Sequence, residues 1–247
     1  MTVSKDEPSA MSPEEFVEEL ERIRTEFLDG GSPWGRGRRA RGPQTKEEIA
    51  EGKRRSHVGA DGNHRFEGER YLGAQDKTVR RKQLRKLVDE GGQTSVGGPL
   101  PSHPALSKWH SHEFGLTDEE IAELEMQDLS PESLVSLGWW YLLQRTSPWS
   151  VALGSALVGE GSKRLPGAVE HFTLMIDEAR QAYARMGIKD VDRAVQLMIE
   201  HAPFGVDMEH AMFAEEIVKE FVDTPELQAD MRRAFILTLA RNSRARM

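Results

Sequence analysis

The sequence predicts an all-α protein, and three observations carry that expectation. Apolar residues recur at helical spacing along most of the 247-residue chain, and helix starts built from Ser or Thr, Pro and an acid punctuate it. No segment shows the alternation of a strand, and no internal repeat of any strength appears.

The elements can be taken in order. Ser12 followed by Pro13, Glu14 and Glu15 opens a first helix that runs to about Leu28, with proline at its first position and a carboxylate placed for a capping box. Gly30 and Gly31 stop it, and the glycine- and arginine-rich "GSPWGRGRRARGP" reads as a solvated loop rather than a binding element. After Thr45 a second helical stretch begins weakly, and Gly52, Gly59 and Gly62 leave "EGKRRSHVGADGNHRF" without a clear assignment. Residues 29–66 are therefore expected to be a partly irregular Gly/Arg-rich segment within one domain, 1–247. From Lys77 the string "KTVRRKQLRKLVDEGG" returns to helical spacing, with Val79, Leu84, Leu87 and Val88 as its apolar residues and Glu90 in its last turn. The loop "GGQTSVGGPLPSHP" leads to His103 and a short helix, and Thr117 with Asp118, Glu119 and Glu120 caps the next. Ser130, Pro131 and Glu132 open "SLVSLGWWYLLQ". Ser147 and Pro148 begin "WSVALGSALVGEGSKRL", in which Glu160 is a lone acid after an apolar and small-residue run. Later helices start near Pro166, near Asp190 and at Thr224 with Pro225.

Composition narrows the function. The formal net charge of −8 gives no global pull towards nucleic acid or an anionic membrane. No cysteine is present, which excludes disulfides, thiolate metal sites and cysteine nucleophiles; any metal must be held by imidazole and carboxylate. That donor set favours iron or manganese. No apolar run is long enough to span a bilayer, and "MTVSKDEPSAMSPEEF" lacks the hydrophobic core of a signal peptide, so a soluble cytoplasmic protein is expected.

The candidate chemistry centres on "HAPFGVDMEHA". Asp207 and His210 are three apart and share a helix face, where a carboxylate and an imidazole amid apolar residues make a pair of metal ligands or, in the plainer alternative, a buried hydrogen-bonded pair. With Glu90, His103, Glu160 and His201 they form a set drawn from at least three helices, the way bundles build metal sites. A ferritin-like site would need two Glu-x-x-His elements; the chain has none, and Asp207 to His210 is an aspartate analogue of one.

The strings "RRKQLRKLVDEGG", "SHPALSKWHSHEFGLTDEEI", "SPWSVALGSALVGEGSKRLP" and "HAPFGVDMEHA" together resemble the heme-oxygenase-like diiron oxidases, relatives of thiaminase II and pyrroloquinoline-quinone synthase. The resemblance covers most of the chain and implies a heme-oxygenase-like helical bundle of about seven helices. Carried over residue by residue, it implies Glu90 and His103 as the first acid and imidazole, Glu160 as the carboxylate of the middle helix, and His201, Asp207 and His210 as the last group of ligands for two Fe(II) ions, with manganese the alternative and O2 the co-substrate. It further implies oxidation of a small amine or amino-acid-like substrate in specialised metabolism by C–H activation, ending in desaturation, cyclisation, N-oxygenation or C–C cleavage. An external electron donor and a homodimer fit that picture; nucleic acid and membrane do not. Arg241, on "RRAFILTLARNS", is the candidate anchor for a substrate carboxylate.

Two departures stand out. The family spaces its last histidine and aspartate four apart, whereas His201 and Asp207 are six apart with Pro203 and Gly205 between them. Six residues of regular helix turn roughly 600°, leaving the two side chains about 120° apart, so the helix must bulge or break if His201 is to ligate. The gap from Glu90 to His103 is also long and glycine-rich. Two other readings stand beside the lead: a metal-independent oxidase resembling pyrroloquinoline-quinone synthase, and a non-catalytic helical binding or regulatory protein. Tyr71, Tyr141 and Tyr183 do not fall in the motifs of the self-sacrificing aminobenzoate synthases, and the missing cysteine excludes thiaminase II chemistry. His110 and His112 are expected at the surface and His171 in a structural role, with His57 and His64 unassigned.

Overall fold

The structure, a computed structural model, describes residues 9–27, 44–55, 60–90, 103–126, 131–204 and 207–244. Among them the chain is all-α, as expected. Its helices are Pro13–Phe27 (α1), Lys46–Arg55 (α2), Ala60–Gly73 (α3), Lys77–Glu90 (α4), His103–Glu113 (α5), Asp118–Met126 (α6), Pro131–Thr146 (α7), Trp149–Gly154 (α8), Leu157–Glu160 (α9), Ala168–Arg185 (α10), Val191–Glu200 (α11), Asp207–Phe221 (α12) and Pro225–Arg244 (α13). A 3-10 turn, Gly161–Arg164, follows α9.

The starts are written in local chemistry. Three reciprocal capping boxes satisfy the first free N–H groups. The Glu15 carboxylate accepts from the Ser12 N–H at 3.0 Å, that of Glu48 from the Thr45 N–H at 2.8 Å, and that of Glu120 from the Thr117 N–H at 2.8 Å. The Thr45 box explains why α2 forms where the sequence looked weak, and Gly52 sits inside it. Asp76, Asp190 and Thr224 cap α4, α11 and α13 through their side-chain oxygens. Part of the expected 29–66 irregular segment is thus helical; residues 29–43 and 56–59 lie outside the described residues.

The main core joins α1, α8, α9, α12 and α13 through Phe16, Leu20, Val151, Leu157, Val218, Met231 and Phe235. A second cluster gathers Ala50, Phe114, Ile121, Ile188 and Ala194 from the α2, α5, α6 and α11 side. The expected continuous helix over "WSVALGSALVGEGSKRL" is instead divided into α8, α9 and the 3-10 turn. Close approach is the reason for its small residues. A Cβ on Gly154 would lie 2.8 Å from Val218 Cγ2 of α12, and one on Gly161 would lie 2.8 Å from Leu157 Cδ1 and 2.9 Å from Arg24 Nη2.

Arg24 fixes this segment from the other side. Its fully buried guanidinium donates to the Leu157 carbonyl and, at 2.7 Å, to Glu21, and lies 5.5 Å from the Phe235 ring centroid. Burial pushes the Arg24 guanidinium down and the Glu21 carboxyl up, and each is partly restored by the other. Arg24→Met leaves Glu21 and the Leu157 carbonyl without this donor and should cost about 3 kcal/mol. Gly161→Ala should cost about 1–3 kcal/mol through overpacking. Urea unfolding of both variants checks this, and wild-type stability in either would contradict the packing described.

Candidate metal centre

The buried face of α4 is polar. Of its apolar residues Val79, Leu84, Leu87 and Val88, Val79 is buried but Leu84 and Val88 are exposed, while Gln83 and Lys86 are buried. The inward positions are spaced four and three apart, a regular helix face, and Glu90 stands four residues further on.

That face meets α3, which brings its own buried charges. Glu67 and Arg70, one turn apart, are both buried and pair at 3.2 Å. Gln83 Nε2 donates to Glu67 Oε2, and Lys86 Nζ lies 3.7 Å from Glu67 Oε1 and 3.1 Å from Glu160 Oε1. Glu160 ends α9, where the split helix and its glycine contacts place it against α4. Its second oxygen, Oε2, is buried and has no hydrogen-bond partner among the described residues. Among the described residues, the carboxylates of Glu67 and Glu160 and the cations of Arg70 and Lys86 thus share a low-dielectric centre. Sequence reading missed Glu67, Arg70, Gln83 and Lys86, although the 79–83–86–90 spacing was there to be read.

α12 closes the centre, packing on α4, α8, α9 and the 3-10 turn. Arg164 of that turn pairs with buried Glu215, which Lys219 also reaches at 2.9 Å. His210 of α12 is 6% exposed.

The six expected ligands stand as follows. Glu160 and His210 are buried or partly buried on elements that pack together. Glu90 is the last residue of α4, His103 the first of α5 and Asp207 the first of α12; their side chains lie outside the described set. His201, expected in one helix with Asp207 and His210, is not in it: α11 ends at Glu200 and α12 begins at Asp207. His201 is the exposed C-cap of α11, with its Nδ1 2.7 Å from the Leu197 carbonyl. The physical reason is Pro203, which cannot continue the ladder. No three His, Asp or Glu side chains among the described residues converge as a metal site.

No family model matches the sequence, and no curated protein matches it. A solved structure does. The crystal structure of a TenA homolog from Pseudomonas syringae pv. tomato str. DC3000 matches with a TM-score of 0.60 and 14% identity, covering 97% of this chain and 95% of the other. The chain is similar in fold to TenA. That likeness is to an all-α fold, and at 14% identity it speaks for the fold alone. No described helix is long and apolar enough to cross a membrane.

Two other sequence expectations can be placed. Arg241 is partly buried near the end of α13, and its Nε and Nη1 are buried without an acceptor among the described residues. His110, expected at the surface, is buried: it stacks on Phe114 at 4.7 Å between centroids and meets Tyr183 edge-on at 6.2 Å. The reason is that α5 lies against α11, so this helix has its polar-looking face inside. His112 keeps the outward side, bonded to the Leu116 carbonyl and 3.3 Å from Asp118.

Burial first, and the Lys53 ammonium second, hold the His110 imidazole down from 6.5 to about 3. A group whose folded pKa is depressed in this way favours folding while neutral. Its contribution is complete above pH 6.5 and is lost as the pH falls from there towards 3. Between roughly pH 6.5 and 5, where most carboxylates stay ionised, His110 should give a stability slope of up to about 1.4 kcal/mol per pH unit. Urea titrations of His110→Phe should lack that slope; the same slope as wild type would contradict the neutral buried imidazole.

Proposed function

We propose that the chain is an O2-activating non-heme diiron oxidase or oxygenase acting on a small amino-acid-like or amine substrate. The buried Oε2 of Glu160, which has no hydrogen-bond partner among the described residues, carries this reading, because an anionic oxygen kept from water and from donors is costly unless a cation completes it. The donors present fit such a cation in kind. Glu160 offers carboxylate oxygen, buried His210 offers imidazole, and Asp207 shares the start of His210's helix. Glu90 and His103 end and begin helices α4 and α5, and His201 stands outside α12.

Two Fe(II) ions, or manganese in their place, would supply the electrons that reduce O2, with an external donor restoring the ferrous state. The chain's own residues do the rest. Glu160 and His210 hold fixed positions because the segments flanking α9 are held on α12, α8 through Gly154 and the 3-10 turn through the Arg164–Glu215 pair. Leu157 and Val218, buried on the helices that carry Glu160 and His210, would limit the water that reaches the centre. The buried Nε–H and Nη1–H of Arg241 suit a substrate carboxylate.

A second reading is favoured by one observation. Lys86 already neutralises Glu160, as a metal-independent oxidase would require of a purely organic pocket. Anaerobic ferrous titration followed by Mössbauer spectroscopy separates the two. About two irons per chain are expected, with faster O2 uptake when substrate is present. His210→Ala should lose iron and O2 uptake together. A chain that takes up no iron, or a His210→Ala variant that keeps iron and activity, would overturn the diiron reading.

A further inference from the structure

We propose that Lys86 is a resident counter-cation of the carboxylate centre, one that a divalent metal ion must displace from Glu160 and that swings to Glu67 when it does. The proposal rests on the metal reading of Glu160, and its test separates failure of the two.

Among the described residues, Lys86 meets two carboxylates of unequal need. Glu67 is held by the Arg70 guanidinium, by the Gln83 amide and by Lys86 itself. Glu160 has the Lys86 ammonium on Oε1, and its Oε2 is bare among the described residues. Lys86 is 6% exposed and rises from the inward face of α4 between the two carboxylates, 3.1 Å from one and 3.7 Å from the other. Its four-carbon stem needs only a rotamer change to leave the nearer oxygen and close on the farther.

Charge makes the exchange necessary. In the metal-free chain the Lys86 ammonium offsets Glu160 as the Arg70 guanidinium offsets Glu67, which lowers the cost of burying the two carboxylates. A divalent ion at Glu160 adds two positive charges beside an ammonium, and in a low dielectric the ammonium and the ion cannot share that oxygen without strong repulsion. Once Lys86 has turned to Glu67, Glu67 faces two cations and Glu160 the metal. The lysine thus stabilises the empty protein and weakens its hold on the first ion.

Lys86→Met keeps the stem and removes the charge. Titrated anaerobically with Mn(II) and followed by the loss of free-ion EPR signal, it should bind the first ion about tenfold more tightly than wild type or better. The metal-free variant should also melt several degrees lower and regain stability on adding Mn(II). If Lys86→Met does not fold, Lys86→Arg serves. A guanidinium grips a carboxylate with two donors, so this variant should bind Mn(II) more weakly than wild type. Unchanged or weaker binding by Lys86→Met, or unchanged or tighter binding by Lys86→Arg, would overturn the counter-cation role while leaving the metal reading standing. No Mn(II) or Fe(II) uptake by wild type or either variant would overturn both.

Discussion

Two glycines let the chain between Trp149 and Arg164 pass closer to its neighbours than any side chain would permit, and the charged centre of the bundle depends on that approach. Gly154 brings α8 onto Val218 of α12, and Gly161 leaves room for the Arg24 guanidinium to reach the carbonyl of Leu157. The helix that the sequence would make continuous is divided there. Its middle piece ends at Glu160, which the packing carries to Lys86 of α4, 74 positions earlier in the chain. A bulkier residue at either glycine would move the carboxylate that the whole functional reading rests on.

The second constraint is electrostatic. Most helical bundles turn apolar stripes inward, but α3 and α4 bring Glu67, Arg70, Gln83 and Lys86 to the interior. Such a centre is weak support for stability, since well-packed apolar residues of the same volume do as well or better. Its presence is easier to understand as the cost of a site. On the proposed metal reading the carboxylates are placed in advance and the cations offset them until an ion binds; Glu160 has an oxygen with no hydrogen-bond partner among the described residues.

How far the sequence was legible follows from the range of each interaction. Helix starts at Ser12, Thr117 and Thr224 could be read because their caps are made within three residues. The break between His201 and Asp207 was signalled by Pro203 and Gly205. The inward face of α4 was not legible, because an apolar pattern does not point to Gln83 and Lys86. Leu84 and Val88 point outward here, since the partners that make Gln83 and Lys86 acceptable inside come from α3 and α9. Burial of His110 was invisible for the same reason: it follows from the packing of α5 on α11, helices about 90 residues apart in sequence. Of the six expected ligands, Glu160 and His210 stand where facing elements meet, and His201 stands on the outside of a separate helix end.

The most direct test of this account is a crystal structure of the full chain loaded with Fe(II) under anaerobic conditions, with anomalous data at the iron edge. Anomalous density is expected within coordination distance of both Glu160 and His210, with the Lys86 ammonium turned away from Glu160 and onto Glu67. Fully loaded crystals with no iron beside Glu160, and Lys86 still paired to it, would contradict the account at its centre.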